Sequence, residues 1–371
     1  MRILFTVEFY EPRKGGAEEV VRQLAERLVK RGHIVTVATS VVSERVEKTI
    51  HGVSIEEFQL SGNSAKGIRG TDEEKKRYQD FLISGGFDVI VNYAAQIWCT
   101  DLTFSILKKV KAKKVFIPCG YSRLRSPAYK VYFDTLPEYL KQYDKLVYMS
   151  SNYQDYIFGE QYGVVDKAVV IPNGAGEEFL VEPLGFKKKY GITTPKMIIS
   201  ISNHYFAKGH LFVIDAFRKM HRKDTTLVVI GERPSGRTWY SCYPLCKLNA
   251  FLNSHIRVLQ DIPREWVVSA YQEADLFLFG SQVECAPLVM YEAFASKTPF
   301  ITTEAGNVRD HEKIIKIVKT PDEMAHVVND LLSSETTRRE MAEKAYELWQ
   351  SHYTWERIVE EYEKMLKVFA T

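Results

Sequence analysis

Short apolar runs alternate with amphipathic stretches through the first half of the chain. Ile3–Val7 reads as a strand, followed by the loop F-Y-E-P-R-K-G-G. A helix is expected over Ala17–Lys30, where Val20, Val21, Leu24 and Leu28 recur at helical spacing. Gly32 closes that helix as a C-cap would, and Ile34–Ala38 is the next strand. Further strands are expected at Val53–Phe58, Val89–Asn92, Val115–Pro118, Leu146–Met149 and Val169–Ile171. Such alternation predicts a parallel sheet with helices on both faces.

A second series follows the charged stretch Lys187–Lys189. Its strands are expected at Met197–Ile201, Thr226–Ile230, Ile256–Leu259, Leu276–Phe279 and Phe300–Thr302, and its helices at Gly209–His221, Arg264–Glu273 and Pro287–Ser296. The last part reads as helical, with Met324–Leu332, Thr336–Trp349 and Thr354–Phe369. The expected architecture is α/β, with two doubly wound halves facing each other and an active site in the cleft between them. The hinge is expected near Pro172–Phe179 (P-N-G-A-G-E-E-F), which is rich in turn formers.

Composition narrows the class without naming it. A chain of 371 residues is long enough for two domains, each with its own core. A formal net charge of +3 is far from that of a dedicated nucleic-acid binder. No apolar run approaches the roughly 20 residues that span a bilayer. The chain opens directly on a strand, so no cleaved signal peptide is expected. The cysteines (Cys99, Cys119, Cys242, Cys246 and Cys285) are odd in number and lack C-x-x-C spacing. Free thiols in a reducing compartment, the cytoplasm by default, follow from this, and a structural zinc is not expected.

The segment S-Q-V-E-C-A-P-L-V-M-Y-E-A-F-A carries the sharpest chemical signal. It follows the apolar run Ala274–Phe279, and Gly280 and Ser281 break the strand. Glu284 then falls in the loop at the sheet's carboxyl edge, where open α/β sheets bind ligands. Glu292 falls one turn into the next helix, where its oxygens can accept from ribose hydroxyls. The amides of Leu288 and Val289, unpaired at a helix start, can bind a diphosphate, with Pro287 at the first helical position. An acid near the positive end of a helix dipole explains one glutamate but not both. The pair suggests a polyhydroxylated, phosphorylated ligand such as a sugar nucleotide.

Two other loops fit an anion. Lys208, in S-N-H-Y-F-A-K-G-H, lies just before a helix-opening glycine and can meet a phosphate as a point charge; the competing reading is a solvated lysine. In Lys14-Gly15-Gly16-Ala17, the glycines allow a ligand close to the backbone, although a double glycine also makes a simple tight turn. The loop is not G-x-G-x-x-G and no acid ends the following strand, which argues against a nicotinamide cofactor.

In this order and spacing the segments resemble the retaining glycosyltransferases of family 4, which have the GT-B fold of two facing Rossmann-like domains. The likeness covers G-G-A-E-E-V-V-R-Q-L-A at 15–25, R-G-H-I-V-T-V at 31–37, I-P-N-G at 171–174 and F-A-K-G-H at 206–210. It continues through the E-x7-E pair and F-A-S-K-T-P-F-I-T-T at 294–303. The closing Y-T-W-E-R-I-V-E-E-Y at 353–362 is similar to the family's terminal helix, which crosses back to the first domain. The resemblance implies an acceptor domain over 1–178, joined by the helix 354–371, and a nucleotide-sugar donor domain over 179–353. It implies that Glu284 contacts the donor sugar, Glu292 the ribose and Lys208 the diphosphate. Gly16 would let the first-domain loop approach donor phosphate and acceptor, and the backbone near Asp261 and Ile262 would pair with the base. The implied reaction moves a hexosyl group, with retention and without a metal or other cofactor, from a nucleotide sugar (UDP ahead of GDP) to a glycan or lipid-linked acceptor. Consistent with this, the chain has no D-x-D to bridge a metal to a diphosphate. A catalytically degenerate protein that binds a sugar nucleotide or a partner is the alternative.

Two departures from the family stand out. Its usual arginine five residues before the lysine is Asn203 here, with His204 or Arg233 as candidate substitutes. A histidine common before the glycine of I-P-C-G-Y-S is Cys119, and a neutral thiol is a poor replacement for an imidazole. Residues 121–140 are rich in aromatic and basic side chains. They are read as a loop and helix that bury their rings; peripheral attachment to the inner face of a membrane is the competing reading.

Overall fold

Eight strands make the first sheet, in the order Ala168–Val170, Lys145–Tyr148, Lys113–Ile117, Val89–Tyr93, Arg2–Thr6, Ile34–Ser40, Val53–Phe58 and Thr49–Ile50. All neighbours pair in parallel except the two-residue edge strand Thr49–Ile50. Apolar runs such as V-I-V-N-Y at Val89–Tyr93, buried at every position, suit strands covered on both faces. The computed structural model describes residues 1–13, 15–232 and 241–369; Lys14 and Arg233 lie outside them.

The chain divides into one unit of Met1–Asn173 with Trp355–Thr371 and a second of Gly174–Thr354. In the first unit the helix Trp355–Lys367 packs on the helix Gly16–Lys30. It turns Trp355, Ile358, Val359, Tyr362 and Leu366 inward. Charges fasten the same seam: Arg31 Nη1 and His33 Nε2 each lie 3.0 Å from the Glu363 carboxylate, and Arg27 pairs with Glu356 at 3.1 Å.

Residues 121–140 form a short turn at Pro127–Tyr129 and a helix at Lys130–Leu140. Tyr121, Tyr129, Tyr132, Phe133 and Leu136 are all buried in one cluster with Tyr143 and Phe158. Four of the five aromatic residues of this segment are therefore core, and Tyr139 packs against them. No described helix is long and apolar enough to cross a membrane.

The second unit holds six parallel strands in the order Ile256–Gln260, Thr225–Gly231, Lys196–Ile201, Leu276–Phe279, Phe300–Thr303 and Lys316–Val318. Numbered along the chain this is 3-2-1-4-5-6, the doubly wound order whose switch point lies between its first and fourth strands. The edge strand Lys316–Val318 has no counterpart in the sequence reading, because three residues with one buried position give no periodicity to detect.

Candidate functional site

The switch point separates the strands Lys196–Ile201 and Leu276–Phe279, which pair directly. Their following loops carry Lys208 and Glu284. The two loops touch through glycine: a Cβ on Gly209 would stand 1.8 Å from the Gly280 carbonyl oxygen. Gly209 also has φ +70°, a conformation that disfavours side chains. The Gln282 amide donates to the Ala207 carbonyl at 2.8 Å, fastening the crossing. This contact explains a glycine in both F-A-K-G-H and F-G-S.

The crossing sets Lys208 Nζ 2.8 Å from Glu284 Oε1, where it donates to the carboxylate. The Lys208 side chain is 30% exposed and that of Glu284 12%. A third loop backs them: a Cβ on Gly306 would meet the Cys285 carbonyl at 2.5 Å, and the Asn307 amide donates to that carbonyl at 2.8 Å.

Glu292 lies on the helix Leu288–Ala295. Pro287 caps this helix in an extended conformation (φ −66°, ψ 120°) instead of occupying its first turn. Leu288 and Val289 are then the first two helical residues, and their amides have no acceptor within the helix. Both Glu292 oxygens have protein donors. Arg264 Nη2 donates to Oε1 at 2.6 Å and the Tyr271 hydroxyl to Oε2 at 2.7 Å. Arg264 also reaches Glu178 at 2.9 Å and lies over the Phe179 ring. The two carboxylates hold the Arg264 guanidinium charged, raising its pKa against the effect of burial.

Sequence reasoning missed Arg264, Tyr271 and Glu178 because they belong to other segments. One signal was available for Arg264: it opens the helix Arg264–Glu273, the end at which a cation is disfavoured by the dipole.

The remaining expected residues are spread along the carboxyl edges of the sheets. Asn203 is half-buried at the start of the Lys208 loop. Asp261 is exposed with φ +52°, just beyond the strand Ile256–Gln260, and Ile262 packs on the core. In the first unit Gly16 begins its helix with open space where a Cβ would stand. Cys119 follows the strand Lys113–Ile117 with φ +54°, its thiol 3.6 Å from the Tyr93 hydroxyl. The next two amides, of Gly120 and Tyr121, each donate at 2.7 Å to buried Asp155, whose carboxyl is pushed up to about 7 by burial.

His204 is not available as a substitute for the missing arginine. It is buried, with its ring turned to His210 and Cys242. The expectation that the cysteines are unrelated to metal chemistry also meets a contrary arrangement: His204, His210, Cys242 and Cys246 converge. The sequence reading sought C-x-x-C, whereas these cysteines are four apart and their partners come from the Lys208 loop.

The fold and the switch-point site together define a GT-B protein, with two parallel-sheet α/β units and charged groups gathered at a carboxyl edge. The family model described as Glycosyltransferase Family 4 matches residues 14–178, and that described as Glycosyl transferases group 1 matches residues 185–348. An uncharacterized glycosyltransferase of Methanocaldococcus jannaschii is 24% identical over 99% of this chain and 98% of its own. The N-acetyl-alpha-D-glucosaminyl L-malate synthase of Bacillus anthracis is 30% identical over 48% of this chain and 47% of its own. Anabaena HepE, solved in complex with UDP, superposes with a TM-score of 0.81 at 16% identity, over 99% of this chain and all of its own. The chain is a glycosyltransferase of the family 4 type.

Proposed function

We propose that the chain transfers a hexosyl group from a nucleotide sugar to a glycan or lipid-linked acceptor, with retention of configuration and without a catalytic metal. The observation that carries this reading is the 2.8 Å pairing of Lys208 with Glu284 at the switch point, with the helix start at Leu288 and Val289 following Glu284 along the same loop. A cation and two free amides suit a diphosphate, and a nearby carboxylate suits sugar hydroxyls. Anabaena HepE was also solved with UDP-glucose, which supports UDP as the nucleotide.

In this reaction the bond from the sugar C1 to the diphosphate oxygen breaks. The acceptor oxygen bonds C1 on the same face, and its proton passes to the departing phosphate. Lys208 and the amides of Leu288 and Val289 stabilise the charge that develops on the leaving group. Glu284 orients the sugar, Glu292 holds the ribose, and the Asp261–Ile262 backbone meets the base. Asn203 adds a neutral donor where a second cation is usual, which favours a slower enzyme or a pure binder as the second reading.

Thermal-shift screening against nucleotide sugars identifies the donor, because a ligand of the folded state raises apparent stability. Nucleotide release is then measured with and without candidate acceptors. Stabilisation by UDP-hexoses followed by acceptor-dependent UDP release supports the proposal. Binding with no release under any condition would establish the binder.

A further inference from the structure

Four side chains able to ligate a metal meet in the second unit. His204 and His210 flank the Lys208 loop. Cys242 and Cys246 lie at the start of the helix Tyr243–Leu252. Their exposures are 3%, 0%, 1% and 0%. All four ligand atoms lie within 4.8 Å of one another.

The measured edges have the dimensions of a coordination tetrahedron. The Nδ1 atoms of His204 and His210 are 3.2 Å apart, and Cys242 Sγ lies 3.7 and 3.6 Å from them. Zinc bonds of about 2.05 Å to nitrogen and about 2.3 Å to sulfur give tetrahedral edges of roughly 3.3 Å between nitrogens and roughly 3.6 Å from nitrogen to sulfur. The outer contact is in place as well: His210 Nε2 lies 2.7 Å from Ser202 Oγ, leaving Nδ1 to face the centre. Hydrogen bonding alone accounts poorly for the cluster, because thiols are weak donors and weak acceptors.

We propose that His204, His210, Cys242 and Cys246 bind one structural Zn²⁺ that ties the Lys208 loop to the helix Tyr243–Leu252. Two nitrogens and two thiolates in a tetrahedron suit zinc and leave no position for a substrate. The metal's role is structural: it fixes residues 204 and 210, and therefore the loop between them that presents Lys208. This site stands whether or not the transferase reading holds.

The test is elemental analysis of the full chain, purified without chelator and desalted after incubation with zinc. About one zinc per chain is expected. Cys242→Ser and Cys246→Ser should each lower the content at least tenfold, whereas Cys119→Ser should leave it unchanged. Ser202→Ala should weaken zinc binding by about 10- to 100-fold. If the cysteine variants fail to fold, cobalt substitution of the unaltered chain decides the matter. Tetrahedral visible bands with a thiolate charge-transfer band support the site, and their absence overturns it. The proposal also fails if the unaltered chain retains no zinc, if both cysteine variants retain it at full stoichiometry, or if mass analysis shows a Cys242–Cys246 disulfide.

Discussion

Lys208 and Glu284 are 76 residues apart in sequence and 2.8 Å apart in space, the lysine donating to the carboxylate. The Lys208 side chain stays 30% exposed to solvent, so the pair adds only about 1 kcal/mol to stability. Its importance lies in charge held ready at the sheet edge. Lys208→Gln is expected to melt close to the unaltered protein while losing about 10²–10³-fold in turnover, the scale for removing a group that stabilises developing charge. Initial rates paired with thermal melts check this; full activity in Lys208→Gln would remove the lysine from the mechanism.

Glu292 has structural partners as well as a proposed ligand, so its variants have to be read on two axes. Glu292→Ala leaves the Tyr271 hydroxyl without its acceptor in a buried setting and is expected to cost about 1–3 kcal/mol. Glu292→Gln keeps an oxygen for one of its two donors and should fold better while still weakening nucleotide-sugar binding. Calorimetric titration of both variants, with denaturant melts, separates the effects. Unaltered affinity in Glu292→Gln would argue that the residue serves only the fold.

The loop crossing makes a prediction about stability alone. Gly209→Ala places a Cβ 1.8 Å from the Gly280 carbonyl, at a φ of +70°. Backbone must move, and a loss of about 3 kcal/mol or more is expected. Among the described residues a Cβ at position 16 would have no packing neighbour within 4 Å, and Gly16→Ala should melt like the unaltered protein. A large loss in donor affinity or turnover in Gly16→Ala would show that the open space belongs to a ligand.

Glu363 links the terminal helix to the rest of the first unit and carries a pH signature. Lys367, His33 and Arg31 hydrogen-bond its carboxylate and hold its pKa down to about 2. A depressed folded pKa stabilises above the ordinary carboxylate range, and the contribution fades as pH falls through the folded value. The stability difference between the unaltered protein and Glu363→Gln should therefore be constant above about pH 5 and shrink from about pH 4.5 to about pH 2. Denaturant melts across that range check it, and a gap that widens toward acid would contradict the assignment.

Much of the second unit was legible because its strands are buried runs flanked by turn formers. The strand Leu276–Phe279 and the helix Arg264–Glu273 lie where the apolar pattern places them. Glu284, Glu292 and Lys208 were legible for a related reason: in a parallel sheet, the loop after a strand is at the binding edge. Arg264, Tyr271 and Glu178 were not, since they come from separate segments and no periodicity connects them to Glu292. His204, a candidate substitute for the missing arginine, instead has its ring buried against His210 and Cys242.

The sequence by itself determined the order of elements, the parallel sheets and the loops at their carboxyl edges, because local periodicity and turn chemistry set these. Tertiary structure alone decided that Lys208 meets Glu284, that Arg264 and Tyr271 hold Glu292, and that two histidines and two cysteines converge. Such contacts depend on the three-dimensional course of loops and on backbone crossings such as that of Gly209 with Gly280. Their ångström-scale geometry has no trace in the spacing of residues along the chain.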